Sequence, residues 1–129
     1  MREFKLRYYP LTALCVVGIL FLSFMYVPNV HLVDLPFHLG WDKLVHGLMY
    51  TVLVFFALWE GERREPLSGK RYAVILLLAL CMGALVEVGQ AHLTTWRSGR
   101  LDDMVANSIG VVLGLGAFHL QKRLKMKKK

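Results

Sequence analysis

Apolar residues along this chain fall into four long blocks, and its polar residues collect at the edges of those blocks. The windows Leu11–Val27, Leu44–Trp59, Tyr72–Ala91 and Met104–Leu120 are almost unbroken. Each approaches the roughly 17 to 25 apolar residues with which a helix crosses a hydrocarbon core. The joining segments Pro28–Lys43, Glu60–Arg71 and His92–Asp102 are short, and none is rich in Gly and Ser or of low complexity. The pattern predicts an all-α integral membrane protein: one domain over residues 1–129, with four transmembrane helices at about 11–27, 44–59, 72–91 and 104–120 packed in a compact bundle.

Composition agrees with a membrane. Hydrophobic residues make up 56% and charged residues 19% of the chain, against about 45–50% and about 25% in soluble domains. Cys15 and Cys81 lie inside apolar windows without redox or metal-ligand spacing and read as packing residues. The basic N-terminus followed by an apolar run has the outline of a signal peptide. The run is long and no small-residue cleavage site follows it, so it is expected to stay as the first helix.

The net charge of +7 is carried by short basic runs beside the windows rather than by a separate soluble domain. Anionic lipid headgroups are therefore the expected partner, and nucleic acid is not. Arg2, Lys5, Arg7, Arg63, Arg64, Lys70, Arg71, Lys122, Arg123, Lys125, Lys127, Lys128 and Lys129 fall on one side of a four-span arrangement, and Lys43, Arg97 and Arg100 on the other. Positive charge is retained in the cytoplasm, which puts both termini there. The expected location is the bacterial cytoplasmic (inner) membrane, crossed several times. The closing KRLKMKKK reads as a lipid anchor at about 1 kcal/mol per basic residue.

With that topology most polar residues fall toward the outer face. Asp42, Lys43 and His46 open the second helix, Glu87, Gln90 and His92 close the third, and Asp103 and Asn107 open the fourth. At 100° per residue, Asp42, His46, Met49 and Leu53 share a stripe, as do Leu80, Gly83, Glu87 and Gln90, and Asp103, Asn107, Gly110 and Gly114. Intramembrane polar groups avoid lipid and face a bundle interior or a wet cavity, so three polar faces are expected to surround one pocket opening outward. Ala106, Gly110 and Gly114 form a small-xxx-small stripe suited to close helix packing. A plainer reading runs alongside: Asp42, Asp102 or Asp103 caps a helix, and His46 and Glu87 belong to a structural polar network.

Specific chemistries find little support. His46, Glu87, Asp103, His31, His38 and His92 include metal-ligand types but lack HxxxH or HExxH spacing, so no metal is expected. Ser98 and Ser108 lack a base at fixed spacing, there is no G-x-S-x-G, and nothing calls for a cofactor. Were the site catalytic, His46 is the expected general acid or base, with Asp42 or Glu87 setting its protonation; the catalytic candidates are His46, Glu87 and Asp103.

In order, Asp42-Lys43-x-x-His46, Glu87-x-x-Gln90, Arg97 and Asp103-x-x-x-Asn107-x-x-Gly110 resemble the VanZ-like family, over about Trp41 to Leu115. The resemblance implies a link to resistance against the glycopeptide teicoplanin, and it places Asp42, Lys43, His46, Glu87, Gln90, Arg97, Asp103, Asn107 and Gly110 at motif positions. The expected function is an envelope protein whose pocket binds, and in an enzymatic version modifies, an outer-leaflet amphiphile or lipid-linked envelope precursor. Ligand-contacting residues would be Asp42, Lys43, His46, Glu87, Gln90, Arg97, Asp103 and Asn107. Two alternatives stand beside it: a structural or partner-binding helical bundle, and a small four-helix transporter working through Glu87.

Overall fold

Four α-helices follow a short 3-10 turn at Leu6–Tyr8: α1 (Pro10–Phe24), α2 (Trp41–Arg64), α3 (Gly69–Leu93) and α4 (Leu101–Lys127). The structure is a computed structural model that describes residues 5–24, 41–93 and 101–128, excepting the side chains of residues 6, 41–43, 91, 93 and 101–103. Among the described residues there is no strand. Three helices are long and apolar enough to cross a membrane, over Leu44–Arg64, Gly69–Gln90 and Met104–Lys127. The fourth, α1, is a shorter apolar helix of 15 residues.

The helices outrun the apolar windows. α2 continues through Glu60-Gly61-Glu62-Arg63-Arg64 and stops just before Pro66, because the residue preceding a proline is pushed out of the helical region. The link to α3 is therefore only residues 65–68, not the whole segment from Glu60 to Arg71. Ser68 caps α3: its Oγ accepts from the backbone N–H of Arg71 at 3.3 Å, filling one of the orphan donors of a helix start. The Glu62 carboxylate reaches forward to the N–H of Leu67 at 3.0 Å. α4 likewise runs past Leu120 into its basic tail.

Contacts at the two ends establish an up-down-up-down bundle. At one end, Glu60 of α2 meets Leu11 and Thr12 of α1, Tyr72 of α3 stacks on His119 of α4 with centroids 5.7 Å apart, and Lys122 of α4 pairs with Glu62 at 2.8 Å. At the other end, Gln90 of α3 meets Ser23 of α1. The first is the basic end, where the chain enters α1 and leaves α4.

α2 is the central helix, packed against the other three, and α4 is its closest neighbour. Their approach is set by small residues. A Cβ on Gly110 would strike the carbonyl oxygen of Gly47, and one on Gly114 would lie 2.6 Å from the Thr51 oxygen and 2.9 Å from Val54 Cβ. Such contact between backbones gives packing energy in lipid, where no hydrophobic gain separates helix from acyl chain. Tyr50, Leu53, Val54, Leu58, Val111 and Phe118 fill the interior with Ile19 and Ala79. Leu77, Leu78, Leu85 and Val88 of α3 and Val105, Ile109, Val112 and Leu113 of α4 point outward. In water these would form an apolar surface far beyond what soluble monomers expose; in a bilayer they are the lipid-facing surface.

Candidate functional site

Away from the basic end, the bundle interior turns polar. His46 and Tyr50, one turn apart on α2, Glu87 and Gln90 of α3, Asn107 of α4 and Ser23 of α1 are all buried there; Tyr50 and Asn107 both pack at Gly83 of α3, and Gln90 reaches Ser23. All six are between 0% and 3% exposed, although they lie on helices whose surroundings are apolar. Burial of this extent demands compensation, since a buried polar group without a hydrogen bond costs about 1–3 kcal/mol.

Gly83 makes the space. A Cβ there would sit 3.3 Å from Asn107 Nδ2 and 3.6 Å from Tyr50 Cε1, so the side chains of Asn107 and Tyr50 both rest against the bare backbone of α3. One turn further along α3 is Glu87, itself 3% exposed. The amide of Gln90 is committed to α1, its Nε2 donating to the Ser23 carbonyl at 2.8 Å. By contrast, the Tyr50 hydroxyl, the Ser23 hydroxyl and both amide atoms of Asn107 have no hydrogen-bond partner among the described residues. Thr51 and Ser108 do not share this state: each donates to a carbonyl one turn back in its own helix, at 2.7 and 2.9 Å.

Of the residues singled out in the sequence, the structure brings His46, Glu87, Gln90 and Asn107 into this cluster. Ala106, Gly110 and Gly114 lie along the seam with α2, where the Ala106 carbonyl would be 3.5 Å from a Cβ on Gly47. Asp42, Lys43 and Asp103 are in helical backbone, but their side chains lie outside the described residues, and Arg97 lies outside them entirely. Among the described residues no three metal-ligating side chains converge.

Three residues escaped the sequence reading. Tyr50 was counted with an apolar window, yet it follows Asp42 and His46 at four-residue spacing, the signal that places it on their face. Ser23 gave no signal, being a single hydroxyl at the end of an apolar run. Glu60 was expected in a connecting loop; it is a helical, 5% exposed carboxylate. It accepts from the N–H groups of Leu11 and Thr12 at 2.8 and 3.0 Å and from the Thr12 hydroxyl at 2.7 Å. Those amides are among the unsatisfied donors of the α1 N-terminus, and a carboxylate there is favoured by both hydrogen bonding and the helix dipole.

The chain matches no protein-family model, no curated protein and no solved structure. The geometry of the cluster and the residue pattern therefore carry the functional reading.

Proposed function

We propose that this is a small VanZ-like protein of the bacterial inner membrane that binds an outer-leaflet amphiphile or lipid-linked envelope precursor in its buried polar cluster. α1 is the fourth span and both termini are cytoplasmic, a placement supported by the basic residues gathered where the chain enters α1 and leaves α4. The polar cluster then lies in the outer leaflet.

The observation that carries the reading is the set of unsatisfied groups. The Tyr50 hydroxyl and both amide atoms of Asn107 are buried with no partner among the described residues, in a protein that satisfies Thr51 and Ser108 locally. A polar moiety of a ligand, or the water it displaces, supplies the missing bonds. Glu87 and His46 are buried in the same polar layer, so an amide, hydroxyl or amine is the chemistry it suits. The sequence pattern alone assigns Lys43 and Arg97 to an anionic headgroup. A link to glycopeptide resistance follows from the family resemblance alone.

The test is lipid analysis of the purified protein. Wild type is expected to retain an amphiphile that Asn107→Leu and Lys43→Ala lose. Identical lipid profiles for all three would reject the site.

A second reading has its own support: the cluster adjoins the Gly47–Gly110 approach, and a polar layer there would lock the register of α2 against α4. Under that reading Gly110→Ala damages the protein more than any substitution at His46 or Glu87.

A further inference from the structure

The opposite end of the bundle holds a group of arginines without counter-charges among the described residues. Arg7 and Arg64 both lie against the ring of Tyr8, their guanidinium carbons 4.9 and 4.0 Å from its centroid. Arg7 also donates to the Tyr8 hydroxyl at 2.9 Å. The two cations are thus separated by no more than the sum of those centroid distances. Next to Arg64 on α2, Arg63 lies 4.6 Å over the ring of Trp59, one turn back. All three arginines are exposed.

The carboxylates described at this end are all engaged elsewhere. Glu60 serves the α1 N-terminus. Glu62 holds Lys122 and the Leu67 amide. Glu65 pairs with Arg71 at 2.7 Å. Aromatic faces hold the Arg7 and Arg64 forks in place and supply no formal negative charge, so two neighbouring cations are left to be neutralised from outside the described residues. Planar guanidinium forks suit the oxygens of a phosphate diester. The exposed leucines of α1, Leu11 and Leu14, begin just beyond this pair and continue as lipid-facing surface, which is what acyl chains joined to that phosphate would require.

We infer that Arg7, Tyr8 and Arg64 form a binding site for the phosphate of an anionic phospholipid in the leaflet at the basic end, with its acyl chains along α1. The inference is independent of the polar cluster. It also differs from diffuse attraction by the C-terminal lysines, because it names two arginines fixed on one ring.

The experiment uses the full chain in detergent, with native mass spectrometry after equilibration with equal amounts of phosphatidylglycerol and phosphatidylcholine of matched acyl chains. Wild type is expected to retain phosphatidylglycerol preferentially. Arg64→Gln should weaken that retention about fivefold, and Arg7→Gln with Arg64→Gln about tenfold or more, from the worth of a basic residue near an anionic surface. Lys127→Gln with Lys128→Gln should leave it within about twofold. Equal retention of the two lipids by wild type, an unchanged preference in the arginine variants, or an equal loss in the lysine variant would each overturn the assignment. Displacement of the lipid by millimolar inorganic phosphate would also overturn it, because the acyl chains would then contribute nothing. Should the double variant fail to fold, Arg64→Gln alone decides the matter.

Discussion

Gln90 and Ser23, 67 residues apart in sequence, are joined by a 2.8 Å hydrogen bond from the Gln90 amide nitrogen to the Ser23 carbonyl oxygen. That carbonyl is one of the last in α1 and has no partner within its own helix. Glu60 does the equivalent work at the other end of α1. The shortest and least polar helix of the bundle is thus capped at both ends by side chains from its neighbours.

Loss of either cap should loosen α1. Gln90→Leu keeps the side-chain volume but removes the donor, and is expected to lower unfolding stability by about 0.5–2 kcal/mol. Glu60→Ala removes three hydrogen bonds at once and should cost more, about 2–4 kcal/mol, with Glu60→Gln falling between it and wild type. Detergent-denaturation midpoints of the purified variants measure both.

The glycines of α4 should separate sharply. Gly110→Ala drives a methyl into the Gly47 backbone, whereas Gly116 has nothing within 4 Å of a new Cβ. Overpacking at the first site is expected to cost about 1–3 kcal/mol or more, and Gly116→Ala to be neutral or stabilising by up to about 1 kcal/mol from helix propensity. Thermal unfolding followed by circular dichroism distinguishes them.

Tyr50→Phe tests whether the cluster binds a ligand. The hydroxyl it removes is buried without a partner, so stability should stay within about 1 kcal/mol of wild type or rise. Amphiphile retention should nevertheless fall, about fivefold or more, if the hydroxyl bonds a ligand. Unchanged retention together with raised stability would favour the register-locking role.

Tyr72 and His119 stack with planes 16° apart beside the Lys122–Glu62 pair. Lys122→Ala removes an ion pair whose lysine is 44% exposed, and solvent-screened pairs of this kind contribute little to stability. Tyr72→Ala strips a ring that also packs against Phe118 and should cost several-fold more. Denaturation midpoints of the two single variants rank them.

Much of the architecture was legible because lipid selects for a simple signal, an unbroken apolar run, and α2, α3 and α4 carry it. Helix ends were less legible. The run stops at Trp59, but Glu60 to Arg64 have no reason to leave the helix until Pro66 forces it, so hydropathy underestimates helix length where charged residues continue the turn into the interface. Within the site, His46, Glu87, Gln90 and Asn107 stood out as polar groups in apolar surroundings. Tyr50 and Ser23 did not: a tyrosine counts as apolar until its hydroxyl is seen to be buried, and the pairing of Ser23 with Gln90 is a long-range contact that no local pattern encodes. Glu60 illustrates the same limit from the other side, since a carboxylate beside arginines reads as surface charge until α1 is placed over it.

Capping α1 from its neighbours imposes an order on biogenesis. Leu11 precedes Glu60 by 49 residues, and Ser23 precedes Gln90 by 67. When α1 is synthesised, neither partner yet exists, and both its ends depend on their surroundings for hydrogen bonds. The first hairpin closes only when the end of α2 emerges, and the far end of α1 is fastened only as α3 is completed. A nascent chain halted between those points carries a first helix with one loose end, the form on which membrane quality-control proteases have the easiest purchase.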